Sequence, residues 1–376
     1  MAGPRFIGSE IYRRSSYGPL HPLAIPRVSS VTDLSRALGW LPDSAYIDSP
    51  RATPAELARF HDPAYVAAVA EAERRLQVPD AVAARYHLGR NGNPVFAEMF
   101  RRPATACGAA ILAGRLLRDA GVIYSPAGGT HHGRRDRASG FCYFNDPALA
   151  ILALLDNGLE RIFYLDIDAH HGDGVQDAFA DDPRVFTLSL HEDGRWPMTG
   201  PSAAGGPGSA ADRAGGAARN LPVPRGFNDS ELDYVLEAAI LPLLTEFAPH
   251  ALVVQCGADA LEEDPLSRLS LSNRALWRTV AAVRDCAPRL LVLGGGGYNP
   301  WSVARCWTGV WAVLNGFDIP ERLPPPAEAV LRGLTWRSRR GRAPAAQWFT
   351  TLADRPRPGP IRDEVRAVVR AVLLPA

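Results

Sequence analysis

The chain has no lysine: all 41 of its basic residues are arginine. That absence removes the Lys-Ser/Thr pair that a phosphate-cradling P-loop requires, and it reads as codon bias in a GC-rich, bacterial genome. Cysteine is also scarce. The five present, Cys107, Cys142, Cys256, Cys286 and Cys306, are odd in number, widely spread and without a CxxC pair. This excludes a disulfide framework and a thiolate metal cluster and leaves reduced, buried thiols as the default. No sign of charge is in excess, since 41 basic residues face 40 acidic ones for a net charge of +1. No direct nucleic-acid binding and no attraction to an anionic membrane are therefore expected. Nowhere do about 18 apolar residues run together as a spanning helix needs. The opening stretch MAGPRFIGSEIYRRSSYG has no apolar h-region, so a cytoplasmic protein without a membrane partner is expected.

What is present is enough for a large core: 376 residues, 47% of them hydrophobic, room for one large α/β domain or two ordinary ones. Short apolar strand candidates start near residues 122, 161, 184, 250 and 289. Between them lie helical stretches at 104–121, 147–158, 229–247 and 272–287. Strand followed by helix, repeated, predicts parallel strands with helices on both faces. The Gly/Ala/Ser-rich stretch 200–216 reads as a surface loop. Beyond about residue 320 the chain turns Pro- and Arg-rich and ends in a predicted helix, EVRAVVRAVLL; its arginines read as a solvated face. One domain over 1–376 is expected, with a core of about 15–315 and the extension 320–376 packed on it.

The most informative run is FYLDIDAHHGDG, residues 163–174, where an apolar strand delivers Asp166, Asp168, His170, His171 and Asp173. Alternation along a strand would place Asp166, Asp168 and His170 on one side of its carboxyl end, where open parallel sheets bind their ligands. A mixed oxygen and nitrogen set suits zinc, with iron(II), cobalt and manganese as alternatives. Three further loops after strands carry polar residues without a structural reason. GGTHHG presents His131 and His132, a pair suited to proton transfer. QCGADAL presents Asp259 as a third ligand, and Asp168, His170 and Asp259 together leave a coordination position open for water and substrate. GGGGYNP bends tightly and presents Tyr298 to the cavity.

In order along the chain, LHPLAIPRV, FHDPAYV, GNPVF, GGTHHG, SGFCYFND, LDIDAHHGDGVQDAF, TLSLH, GADAL and GGGGYN make the sequence resemble the zinc-dependent histone deacetylase family, over most of residues 15–315. Its bacterial members include acetoin-utilisation proteins and acetylpolyamine amidohydrolases, and GFCYFND and GGGGY lie closer to the class I and acetoin-utilisation branch. The resemblance implies the arginase/deacetylase-like fold, a mostly parallel eight-stranded sheet with helices on both faces. It also implies one catalytic Zn2+ on Asp168, His170 and Asp259. His131 and His132 match the histidine pair, with His132 as general base and acid, and Asp166 and Asp173 match their carboxylate partners. Tyr298 matches the hydrogen-bond donor to the substrate carbonyl. Gly140, Phe141 and Trp196 match the walls of an acyl-lysine channel, and Arg27 matches an arginine beside the acetate exit. Structural K+ is implied through Asp166, Asp168, His170, Ser189 and Leu190, and again near Phe179, Asp182 and Val185. The implied reaction is removal of acetyl or other acyl groups from acyl-lysine in proteins or peptides.

Two positions depart from the family pattern. Gly92 stands where an aspartate normally grips the substrate backbone, so restoring it as Gly92→Asp is expected to improve peptide turnover. Met198 stands where glycine is common. Small acyl amines such as acetylpolyamines therefore remain an alternative substrate class, although Arg134, Arg135, Arg137 and Arg195 near the entrance disfavour polycations. A more remote alternative is an arginase-like binuclear manganese hydrolase. That chemistry needs a further Asp at 172 and an acidic neighbour of Asp259 at 257 or 261, where Gly172, Gly257 and Leu261 stand.

Overall fold

Apolar side chains alternate along the central strands so that successive residues enter two different cores. Phe163, Leu165, Leu252, Val254, Leu290 and Val292 point into one, while Ile162, Tyr164, Ala251, Val253, Leu291 and Leu293 point into the other. A sheet apolar on both faces must be covered on both. In the computed structural model, which describes residues 3–197 and 205–374, helices Asn273–Val283 and Pro300–Asn315 cover the first face. Helices Arg101–Leu116 and Asp146–Asp156 cover the second.

The strands are β1 (Arg5–Gly8), β2 (Tyr46–Asp48), β3 (Gly121–Ser125), β4 (Ile162–Asp166), β5 (Val185–Glu192), β6 (Ala218–Val223), β7 (Ala251–Gln255) and β8 (Arg289–Leu293). They form one eight-stranded sheet in the order β2-β1-β3-β8-β7-β4-β5-β6, and every pairing is parallel. The five strands expected from hydrophobic runs are β3, β4, β5, β7 and β8. The other three gave little signal. β1 and β2 are only four and three residues long, and the edge strand β6 carries Pro222, which an edge tolerates.

The segment beyond residue 320 packs on the first core through Leu323, Leu331, Trp348, Leu352, Val365 and Val369. Buried Arg305 reaches Asp354 at 2.7 Å, and Arg362 grips buried Glu231 through two contacts of 2.7 Å. Among the described residues no helix is long and apolar enough to cross a membrane. Met198 and residues 200–204 of the expected surface loop lie outside the described residues.

Candidate metal and catalytic centre

The loops that leave β3, β8, β7 and β4, four neighbours in the sheet, meet at its carboxyl edge. Each is braced before its functional residue. Asp146 accepts hydrogen bonds from the Gly129 and Thr130 N–H groups at 2.9 and 2.8 Å, which sets the loop that carries His131 and His132. β4 ends at Asp166, so strand alternation does not extend to Asp168 and His170 as expected from the sequence. They converge instead through a self-bonded loop. Asp166 Oδ1 accepts the Asp168 N–H at 3.0 Å, and Asp168 Oδ1 accepts the His170 N–H at 3.0 Å, a local aspartate geometry that competes successfully with strand.

Asp168, His170 and Asp259 are buried, and one ligand atom from each lies within 4.8 Å of the others. His170 Nδ1 is 2.9 Å from Asp259 Oδ2 and 3.3 Å from Asp168 Oδ1. The Gly296 N–H donates to Asp168 Oδ2 at 2.6 Å, and the Ala169 N–H donates to Asp259 Oδ1 at 3.1 Å. Glycines keep the backbone against these carboxylates: a Cβ at Gly257 would lie 2.1 Å from Asp168 Oδ2, and one at Gly296 would lie 1.9 Å from Asp259 Oδ2. The donor set fits a divalent cation, because two fully buried carboxylates side by side are costly without one. An acidic side chain at 172 has no room, since a Cβ on Gly172 would already meet Asp166 Oδ2 at 2.4 Å. Among the described residues this is the one cluster with metal-ligand geometry, which argues against a binuclear site.

The histidine rings lie beside it, their centroids 3.9 Å apart. His131 Nδ1 is 2.7 Å from Asp166 Oδ2, and His132 Nδ1 is 2.7 Å from Asp173 Oδ1. Asp166 also accepts from the Tyr164 hydroxyl at 2.7 Å. Burial alone would lower the His131 pKa, but Asp166 and Asp168 outweigh it and push the ring up to about 9. Burial and the neighbouring His131 pull His132 down to about 3. The adjacent rings are thus pushed in opposite directions, His131 toward imidazolium and His132 toward neutral imidazole. Asp173 is held down at about 2 because His132 and Arg134 outweigh its burial.

Tyr298 sits across the cavity, its N–H donating to buried Asp264 Oδ2 at 2.7 Å. Burial, reinforced by Asp259 and Asp168, keeps its phenol protonated. Phe141 and Trp196 flank the entrance, which opens as a cavity of about 440 Å³ that reaches His132 and His170. Gly140 is required between them, since a Cβ there would lie 2.4 Å from the Trp196 ring and 2.6 Å from His132. Phe141 itself has φ +68°, held by its N–H donating to Asn93 Oδ1 at 2.9 Å. Arg27 lines a second, inner cavity with His131, Tyr17 and Arg102. It donates to the Gly295 carbonyl and lies over the Trp307 ring at 4.9 Å.

Ser189 and Leu190 lie on β5, and Ser189 is the cross-strand partner of Asp166. Phe179, Asp182 and Val185 lie in the turn that enters β5, where the Phe179 and Asp182 carbonyls accept from the Asp182 and Val185 N–H groups.

Two expectations are corrected. Arg134 is not a free rim cation: it turns inward and binds Asp173 and Asp177, whereas Arg195 does line the entrance cavity, paired there with Glu192 at 2.9 Å. Gly92 cannot simply take back an aspartate, because its φ is +79° and a Cβ there would lie 2.5 Å from the Phe141 ring. The sequence reading missed Asp146, Asn93, Asp264 and His21. His21 Nε2 lies 2.9 Å from the Gly92 carbonyl oxygen, and its ring packs on Phe141. Their polar side chains beside glycine- and proline-rich loops were a signal, but loop braces have no period to read.

A family model described as Histone deacetylase domain matches residues 21–314. Acetoin utilization protein AcuC of Bacillus subtilis (strain 168) is 33% identical, covering 85% of this chain and 84% of its own. A Caenorhabditis elegans relative is 34% identical over 82% of this chain, which spans 61% of that protein's length. The crystal structure of an HDAC homolog from Aquifex aeolicus superposes with a TM-score of 0.91 at 36% identity, over 99% of this chain and 100% of that one. The same figures hold for an HDAC homolog complexed with SAHA.

Proposed function

The chain belongs to the histone deacetylase family, and from that premise we propose that it is a zinc-dependent amidohydrolase removing acetyl or other acyl groups from acyl-lysine side chains. The observation that carries this reading is the convergence of Asp168, His170 and Asp259 with two histidine–carboxylate pairs at the bottom of a tube walled by Phe141 and Trp196. A zinc-class ion held by the three ligands would supply polarisation of the amide carbonyl and acidification of water.

The protein's own groups do the rest. Asp173 fixes the Nδ1 side of His132, leaving Nε2 to take the proton of the attacking water and return it to the leaving amine. Asp166 holds His131 beside it in the same way, and the Tyr298 hydroxyl donates to the developing oxyanion. The apolar walls suit the four-carbon stem of lysine and exclude water from it. Acetate leaves past Arg27, whose guanidinium attracts a carboxylate. Structural potassium through Asp166, Asp168, His170, Ser189 and Leu190, and again near Phe179, Asp182 and Val185, belongs to the same reading. A cytoplasmic location belongs to it as well.

Deacylation of small acyl amines is the competing reading, favoured by Gly92 in place of a backbone-gripping aspartate. A turnover screen of the zinc-loaded protein decides: acetylated peptides and acetylpolyamines are compared at equal metal content. Turnover of peptides above polyamines is expected, and the reverse order would move the substrate to the small-amine class.

A further inference from the structure

Beside the mouth of the tube lies a second depression, of about 520 Å³, and the two share Tyr298 and Leu266 as walls. One side is the proline-rich loop at 19–26, with Leu20 on its rim. The other is the C-terminal segment at Trp336 and Arg337. Leu20 is 94% exposed, an unusual position for a large apolar side chain on a loop that otherwise packs closely. The loop is anchored rather than loose: the His21 ring stacks on Tyr17 at 5.0 Å and packs edge-on against Phe141 at 4.6 Å. The groove is therefore preformed and continuous with the catalytic entrance.

Its charge is one-sided. Among the described residues no aspartate or glutamate lines it. Arg337, the arginine that lines it, is exposed, and among the described residues it forms no ion pair. The groove and the tube share Tyr298 and Leu266 as walls, and an extended chain advances about 3.3 Å per residue, so residues a few positions from a lysine held in the tube can reach the groove.

We propose that this groove binds the polypeptide flanking the acyl-lysine, with an apolar side chain against Leu20 and Trp336 and an acidic one against Arg337. The inference rests on the acyl-lysine reading above and deepens it: preferred substrates carry an apolar and an acidic residue on one side of the modified lysine. Specificity then comes from a side-chain groove, in place of the backbone grip that Gly92 does not supply. The C-terminal extension, outside the catalytic core, supplies the charge selection.

The test uses the full-length, zinc-loaded protein with an acyl-lysine peptide series that varies both flanks, alongside a minimal acyl-lysine amide without flanks. The wild type should favour acidic-apolar flanks over basic ones. Arg337→Glu should reverse the charge preference severalfold in kcat/KM, the scale of a solvent-exposed ion pair replaced by a like-charge contact. Leu20→Ser, at an exposed position, should weaken the apolar preference severalfold. Both variants should turn over the minimal amide as the wild type does. Unchanged flank preference in both variants, with the minimal amide still hydrolysed, overturns the groove and leaves the acyl-lysine reading standing. If the minimal amide and all peptides are inert while acetylpolyamines are hydrolysed, the reading beneath the groove fails, and the groove with it.

Discussion

Gly92 passes so closely under the Phe141 ring that a Cβ on it would lie 2.5 Å from Phe141 Cε1 and 2.9 Å from Cδ1. The tube wall and the loop that faces it are thus one packing unit. Gly92→Asp should displace Phe141 and adopt a left-handed backbone at a cost of about 1–3 kcal/mol, lowering thermal stability and slowing turnover. Asn91 is exposed, with φ +51°, and Asp tolerates that region. Asn91→Asp should therefore retain the wild-type melting temperature. A Gly92→Asp protein that is as stable as wild type and faster on peptides would contradict this packing.

The buried ligand set predicts about one zinc-class ion per chain by elemental analysis. Asp168→Asn and Asp259→Asn should each lose it, because a neutral amide replaces one of two buried carboxylates whose ligand atoms lie within 4.8 Å of one another. Two equivalents of tightly held transition metal in the wild type would call for a second cluster.

Tyr298 contributes a hydroxyl and, among the described residues, stands outside the Asp168, His170 and Asp259 ligand set. Tyr298→Phe should keep its metal and lose about 10²–10³-fold in kcat with little change in KM, the pattern of a donor used in the transition state. Near-normal turnover would reduce Tyr298 to a wall of the tube.

His61 supports the histidine loop from behind. Its Nε2 accepts the Asn145 N–H at 3.0 Å while Nδ1 faces the Arg134 carbonyl at 2.9 Å, an arrangement only the neutral ring satisfies. Burial lowers its pKa to about 4, against about 6.5 in an unfolded chain. Between those values the unfolded state binds more protons, so this contribution is complete above pH 6.5 and declines toward pH 4, by about 3 kcal/mol in all. Urea unfolding at pH 7 and pH 4.5 should show a smaller acid loss for His61→Gln, which keeps one donor and one acceptor. Equal losses in the two proteins would show that His61 does not set the slope.

Asn93 holds Phe141 in its left-handed conformation through one hydrogen bond of 2.9 Å. Asn93→Ala leaves the Phe141 N–H unpaired in a part-buried place, worth about 1–3 kcal/mol, and should raise KM more than it lowers kcat. An unchanged KM would mean that the neighbouring rings suffice to hold the wall.

The family and the class of fold were legible in the sequence. Apolar runs interrupted by Asp and His, such as 163–171, carry both a strand period and a ligand set. Five central strands are legible because burial on both faces demands continuous apolar residues. The short β1 and β2 and the proline-bearing β6 are not, because neighbouring strands, rather than their own residues, specify them. Which charges are free became visible in the folded chain alone. Arg134, read as a rim cation, folds inward onto Asp173 and Asp177, since a buried carboxylate beside a histidine gains more from a guanidinium than that guanidinium loses by leaving water. Only the structure, likewise, placed Leu20 and Trp336, more than 300 residues apart, on one groove. Contacts of that separation follow from how helices and loops pack around the sheet, and no local pattern encodes them.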